Sequence, residues 1–319
     1  MGTAMNAPDL GKLGFGGAGI GNLYRALPDG EALATVLAAW DAGIRYFDTA
    51  PHYGLGLSEQ RLGAVLRDKP REEFVISTKV GRLLEPNGPG GRDSEGFDVP
   101  ATSRRVWDFS EAGIRRSIEE SLERLGLSHV DIAYLHDPDV HDLQAGIEHG
   151  LPALEKLRSE GLVTAIGVGT NSAEAAQECV EAADLDLLML AGRYTLLEQP
   201  DVPLLDRCVE RRTGVVNVGV FNSGLLARPD VPDDAHYNYD QAPPEVLERA
   251  RALASVCRDF GVELPTAALQ FPLRHPAVVN VTAGATSPEQ VTTNAARMDE
   301  PLPEELWEAL EGLRKGAGQ

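Results

Sequence analysis

Short apolar, β-branched runs alternate with longer stretches of mixed polarity along almost the whole chain. Eight runs carry the strand pattern: 13–17 (LGFGG), 44–48 (IRYFD), 73–79 (EFVISTK), 130–136 (VDIAYLH), 164–169 (TAIGVG), 185–191 (LDLLMLA), 214–220 (GVVNVGV) and 277–284 (AVVNVTAG). The stretches between them predict helices over 30–42, 58–67, 110–125, 150–160, 172–182, 202–212, 243–260 and 288–296, with a tail helix near 303–314. Punctuation supports this reading. Ser58 before Glu59 and Ser110 before Glu111 are expected N-caps, and Ser287 precedes Pro288 in the pattern that starts a helix on proline. Gly126 and Gly161 stand where helix-ending glycines belong. Strict alternation implies parallel strands joined by crossover helices. Without a compositional break it predicts an α/β protein, a (β/α)8 TIM barrel forming a single domain over 1–319. Two long connections, 81–109 and 221–242, each follow a strand and so belong on the face where barrels keep their chemistry.

A competing pattern sits at the start. Residues 14–19 read GFGGAG, the G-x-G-x-x-G of an open dinucleotide-binding sheet, and Asp48 ends the next strand as a ribose-binding acid would. The context does not fit. No apolar strand of full length precedes Gly14, the next helix cannot begin before about residue 29, and Asp48 lies 29 residues beyond Gly19 where about 20 are needed. The glycines are expected instead to leave room at a barrel mouth.

Composition narrows the function classes. The net charge is −20, which repels nucleic acid and anionic membrane surfaces. No apolar run approaches the length of about 18 residues that a membrane helix needs, and the first residues lack a signal-peptide core, so a cytoplasmic protein is expected. The three cysteines (Cys179, Cys208, Cys257) show no C-x-x-C spacing and read as buried thiols. A monomer or small homo-oligomer with no nucleic-acid or membrane partner is the expectation.

The candidate chemistry lies at strand ends. Asp48 ends the second strand, Lys79 the third and His136 the fourth, and Tyr53 follows Asp48 by five residues. In a barrel these four converge on one pocket. Singly, each has an ordinary explanation as a cap, a snorkelling lysine or a packed ring. Together they occupy equivalent places in successive units. His52, Asp48 and His136 could form a metal set, but there is no H-x-H or H-E-x-x-H, and no metal is expected.

At these residues the chain resembles the aldo-keto reductases over about 12–296, the expected core. FDTAPHYGLGLSEQRLG (47–63) is similar to the family signature D-T-A-x-x-Y-G-x-G-x-S-E-x-x-L-G at every specified position, and ISTKVG and DIAYLHD carry its lysine and histidine. KVGRLL, LAGRYTLLEQ and FNSGLL resemble the L-fucose / D-threo-aldose 1-dehydrogenase subgroup, with L-galactose and pyridoxal 4-dehydrogenases as similar relatives. The resemblance implies a catalytic tetrad of Asp48, Tyr53, Lys79 and His136 and a nicotinamide cofactor. Tyr53 would be the acid/base, its pKa lowered by Lys79, with Asp48 holding the ammonium and His136 orienting the substrate oxygen. It further implies that Thr170 and Asn171 meet the carboxamide and that Phe221 stacks on the ring. Asn222, Ser223, Gly224 and Leu225 would pass the pyrophosphate with backbone N–H donors. Gly284, Thr286, Gln290 and Asn294 would hold the adenosine end. The family's usual glutamine on the sixth strand is replaced by Ala191. Gly284 and Gln290 stand where NADP-preferring relatives carry cations, and Arg297 is the nearest cation in sequence. NAD is therefore the expected cofactor, with NADP admissible.

The implied reaction is oxidation of a neutral aldose to its lactone by an NAD(P)-dependent dehydrogenase, with Tyr24, His52, Trp107 and Asn222 as candidate substrate contacts. Two other readings stay open: a pyridoxal 4-dehydrogenase or NADPH-dependent aldehyde or ketone reductase, and a nucleotide-sensing regulatory subunit with little turnover.

Overall fold

The computed structural model describes residues 7–88, 90–200, 203–237 and 240–316. Eight parallel strands close a barrel in chain order: β1 (Leu13–Gly16), β2 (Tyr46–Asp48), β3 (Val75–Val80), β4 (Ile132–His136), β5 (Ala165–Thr170), β6 (Leu187–Ala191), β7 (Gly214–Val218) and β8 (Val278–Gly284). Closure is made by β8 pairing with β1, with Gly16 opposite Gly284. Around them run α1 (Asp29–Asp41), α2 (Leu57–Leu66), α3 (Glu111–Leu125), α4 (Leu151–Ser159), α5 (Ala173–Ala182), α6 (Leu204–Arg211), α7 (Pro244–Asp259), α8 (Leu264–Gln270), α9 (Pro288–Asp299) and α10 (Glu304–Gly316). The fold is the (β/α)8 barrel expected from the alternation.

Barrel strands are covered on both faces, which is why their sequences are near-continuous apolar runs. One shell of the core lies between strands and helices and includes Ile76, Leu135, Ile166 and Leu188. The barrel interior is filled by Tyr46, Ile132, Tyr134, Leu187, Met189 and Val216. A separate cluster packs α7 and α8 against α10 through residues such as Leu253, Ala267 and Trp307. The two interior tyrosines keep their hydroxyls paired, Tyr134 to Tyr46 at 3.3 Å and Tyr46 to Ser77 Oγ at 2.9 Å.

Several local expectations are corrected. Ser58 is not an N-cap: α2 begins at Leu57 with Gly56, in the left-handed region, at the N-cap, and Ser58 Oγ donates to Gly17 O at 2.8 Å. The contact exists because Gly17 has no side chain; a Cβ there would lie 2.6 Å from Ser58 Oγ. Ser110 and Ser287 do cap their helices, accepting from the N–H groups of Gly113 and Gln290. The connection 81–109 is an antiparallel hairpin, Arg82–Pro86 with Ser103–Trp107. In 221–242 a short pairing joins His236–Tyr237 to Asp240–Gln241. Helix α8 was not anticipated. Among the described residues no helix is long and apolar enough to cross a membrane.

Candidate active site

Three neighbouring strands deliver the central cluster. Lys79 Nζ donates to Asp48 Oδ2 at 2.6 Å, to Tyr53 Oη at 2.9 Å and to Thr49 O at 3.1 Å. Asp48 Oδ1 accepts from Ser77 Oγ at 2.7 Å, so both carboxylate oxygens are held. The His136 ring stands edge-on to Tyr53 at 6.1 Å between centroids. All four predicted residues thus meet in one place. The rest of the signature positions them: buried Glu59 accepts from Thr78 Oγ1 at 2.9 Å and from Arg124 Nε at 2.5 Å, fixing α2 to β3 and α3. Gly21 lies against the Tyr53 backbone, where a Cβ would come within 2.9 Å.

Burial governs the electrostatics. The paired carboxylate and phenol raise the Lys79 pKa, keeping the group an ammonium. Burial pushes the Tyr53 phenol above its ordinary value, and the Lys79 cation opposes that shift without reversing it. The expected lowering of Tyr53 is therefore corrected: burial outweighs the Lys79 cation, and the Asp48 carboxylate adds to the rise. Burial, with Arg82 and other cations nearby, holds His136 well below the usual histidine range and His52 down to about 2, so both rings are neutral.

The cluster lines a cavity of about 430 Å³ together with His52, Glu95, Phe97 and Asp137. Among the candidate substrate contacts, His52 lines this cavity. Tyr24 is 65% exposed and lies outside it, along the adjoining trough. Trp107 stacks on His141 at 5.1 Å with the Arg82 guanidinium 4.3 Å over its ring, so it braces the hairpin and does not line the cavity. Asn222 lines the trough. Glu95, Phe97 and Asp137 were missed. Glu95 and Phe97 sit in a glycine-rich connection that carries no periodic signal, but Asp137 directly follows His136 and was open to notice.

A trough continues from the cavity past Asn171, Ala191 and Gly284, beside Phe221, Asn222, Ser223 and Gly224, to a wider recess lined by Thr286, Gln290 and Asn294. Most residues expected along a dinucleotide therefore share one continuous surface. Three details differ. The Thr170 hydroxyl is committed, donating to Asp139 at 2.7 Å and accepting from Ser172 N at 3.0 Å. Leu225 is fully buried in the cluster beneath the trough. The amides of Asn222, Gly224 and Leu225 donate to carbonyls within their own turn, so they are not the expected ligand donors. A buried acceptor is left over instead: among the described residues Asn222 Oδ1 has no partner, which fits a ligand donor in the trough.

At the far end Gln290 Oε1 accepts from Thr286 N at 2.8 Å. Arg25 Nη2 reaches Thr286 Oγ1 at 3.3 Å, and Arg228 lines the same recess. Arg297 is paired with Glu263 at 2.8 Å. Arg297, the nearest cation in sequence, lines the recess as well, and Arg25 joins it at Thr286 from the distant β1–α1 connection. Among the described residues no three His, Cys, Asp or Glu side chains are placed to share a metal ion.

Comparisons with known proteins agree with this geometry. The pattern of the aldo/keto reductase family matches residues 12–315. The chain is 54% identical to a D-threo-aldose 1-dehydrogenase from Pseudomonas sp, covering 95% of this chain and 93% of that one. It is 39% identical to a pyridoxal 4-dehydrogenase from Microbacterium luteolum, covering 94% of each. Among solved structures it is similar to the holo form of the aldo-keto reductase AKR11C1 from Bacillus halodurans, with a TM-score of 0.77 at 26% identity over 98% of this chain and 94% of that one.

Proposed function

The chain belongs to the aldo/keto reductase family of oxidoreductases, and from that premise we propose that it oxidises C1 of a neutral aldose to a lactone, with Tyr53 exchanging the proton. The observation that carries the reading is Lys79 bridging Asp48 and Tyr53 at 2.6 and 2.9 Å in the wall of a cavity that opens into the trough. The relative at 54% identity is named for the same reaction class. A nicotinamide dinucleotide, held along Asn171, Phe221, Asn222, Ser223, Gly224, Gly284, Thr286, Gln290 and Asn294, supplies the hydride acceptor when bound. Tyr53, ionised to a phenolate that the adjacent Lys79 cation stabilises, takes the proton from the substrate hydroxyl at Oη and becomes the neutral phenol. Asp48 keeps Lys79 protonated and in place. Neutral His136 orients the substrate oxygen by a hydrogen bond.

For the dinucleotide we propose NAD over NADP. Gln290 is turned back onto Thr286, Gly284 offers no side chain, and Glu289 and Asp234 add negative charge to the recess. Arg25 and Arg228 keep NADP admissible at lower efficiency. The test is NADH formation with L-fucose, D-arabinose, L-galactose and pyridoxal. Turnover of an aldose, with kcat/KM at least about tenfold higher for NAD than NADP, is expected. Oxidation of pyridoxal alone would replace the substrate assignment, and no turnover alongside tight nucleotide binding would favour a sensing subunit.

A further inference from the structure

Two carboxylates in the cavity wall have no part in the proton transfer at Tyr53. Asp137 follows His136 at the end of β4, and Glu95 comes from the tip of the 81–109 hairpin connection. Each has an arginine beside it. Asp137 Oδ2 accepts from Arg82 Nη2 at 2.5 Å, and Glu95 Oε1 lies 3.4 Å from Arg105 Nη1. Arg105 is clamped by Asp93 at 2.6 and 3.1 Å and donates to His52 O at 3.0 Å. Both arginine side chains are more than nine-tenths buried and neither lines the cavity, whereas both carboxylates do. The cations thus stay behind the wall and the anions form its surface.

Much of the acceptor capacity of these groups is unused. Among the described residues, neither oxygen of Glu95 nor Asp137 Oδ1 takes a hydrogen bond from a protein donor. The other charged groups of the wall, Lys79 and Asp48, neutralise each other. Phe97 stands between the two functions, its ring 5.9 Å from Tyr53 and inclined by 31°. Asp137 adopts φ +40°, a conformation uncommon for a residue with a side chain, and its N–H is held by Gly169 O at 2.8 Å. Strain of this kind persists where the surroundings hold a group in a functional position.

We propose that Glu95 and Asp137 form a hydroxyl-recognition subsite that selects uncharged polyhydroxy substrates and rejects those bearing phosphate or carboxylate. This rests on the reading of Tyr53 as the reacting group. Hydroxyls donating to ionised carboxylates make the stronger class of hydrogen bond, and Phe97 offers an apolar face to a sugar ring. An anionic group brought beside the same oxygens meets two like charges, Asp137 largely buried and Glu95 half-exposed, which favours the neutral substrate by about 100-fold.

The test compares D-arabinose with D-arabinose 5-phosphate for the wild type, Glu95→Gln and Asp137→Asn, with nucleotide binding by fluorescence as the check on folding. The wild type should favour the free sugar by about 100-fold in kcat/KM. Glu95→Gln should raise KM for D-arabinose about tenfold with kcat within about twofold, and reduce the preference to about tenfold, with Glu95→Asp restoring part of it. Asparagine also tolerates the backbone of residue 137, so Asp137→Asn should behave in the same direction. A wild type that uses both sugars equally overturns the proposal. So does a Glu95→Gln variant whose KM and preference are both unchanged. If no aldose is oxidised, the aldose assignment fails by itself. The subsite is then read from NADH-dependent reduction of D-glyceraldehyde against its 3-phosphate, with the same preferences expected and the same results decisive.

Discussion

The cavity and the far end of the trough are built on opposite principles. In the cavity, Asp48, Lys79 and His136 are each at most 5% exposed, and Asp48 and Lys79 are locked by short hydrogen bonds within the protein. At the recess around Thr286, the side chains are more open, and the polar groups bond one another or carry charges of mixed sign. The first region is fixed by buried, mutually bonded groups, whereas the second presents more exposed polar groups. Proton transfer depends on fixed geometry and controlled charge, whereas holding a flexible dinucleotide tolerates variation.

Substitutions should separate the two regions. Tyr53→Phe carries the largest expected effect, a fall in kcat of about 1,000-fold with the dinucleotide Kd within about twofold, measured by steady-state kinetics and fluorescence titration. Retained turnover would remove Tyr53 as the acid/base and erase the contrast. The pH profile comes next. Because burial raises the Tyr53 phenol, its phenolate grows with pH through the neutral range, so kcat/KM for oxidation should rise by about tenfold per unit from pH 7 to 9 without a plateau. Carbonyl reduction uses the protonated phenol and should stay flat over that window.

Smaller effects sharpen the comparison. His52 is held neutral with a pKa of about 2, far below its unfolded value of about 6.5. The unfolded chain therefore binds a proton as pH falls through 6.5 and the folded cavity does not, so stability is full above that value and declines below it. Between pH 7 and 5 this site should cost about 2 kcal/mol, a loss that His52→Gln abolishes in denaturant titrations. Gln290→Arg should have the smallest effect, raising kcat/KM with NADP about tenfold and leaving the pH profile unchanged. A shifted profile would mean that the two regions are coupled.

The same contrast explains what could be read from the chain. Asp48, Lys79 and His136 were legible because a strand end fixes both position and direction, and eight alternating runs fix the strands. Leu225 and the amides of Asn222, Gly224 and Leu225 were misassigned because motif matching places a residue in a turn without saying which way it faces. Ser58 was misread for a similar reason: its partner, Gly17, lies 41 residues away. The 81–109 hairpin left no periodic trace, since its pairing joins a mixed segment, RLLEP, to the equally mixed SRRVW. Arg25 near Thr286 spans 261 residues and has no local signature at all.

The trough also lies across the seam where β8 meets β1. Gly284 of the last strand lines it beside its partner Gly16 of the first strand, which lines the adjoining cavity, and Tyr24 reaches it from the connection after the first strand. An occupant of this groove would touch the first and last staves of the barrel at once. It would act as a clasp on a ring, adding its binding energy to the closure of the chain on itself. A growing polypeptide could offer this groove only after β8 has been made, so the capacity to hold a nucleotide would report that the ring is complete.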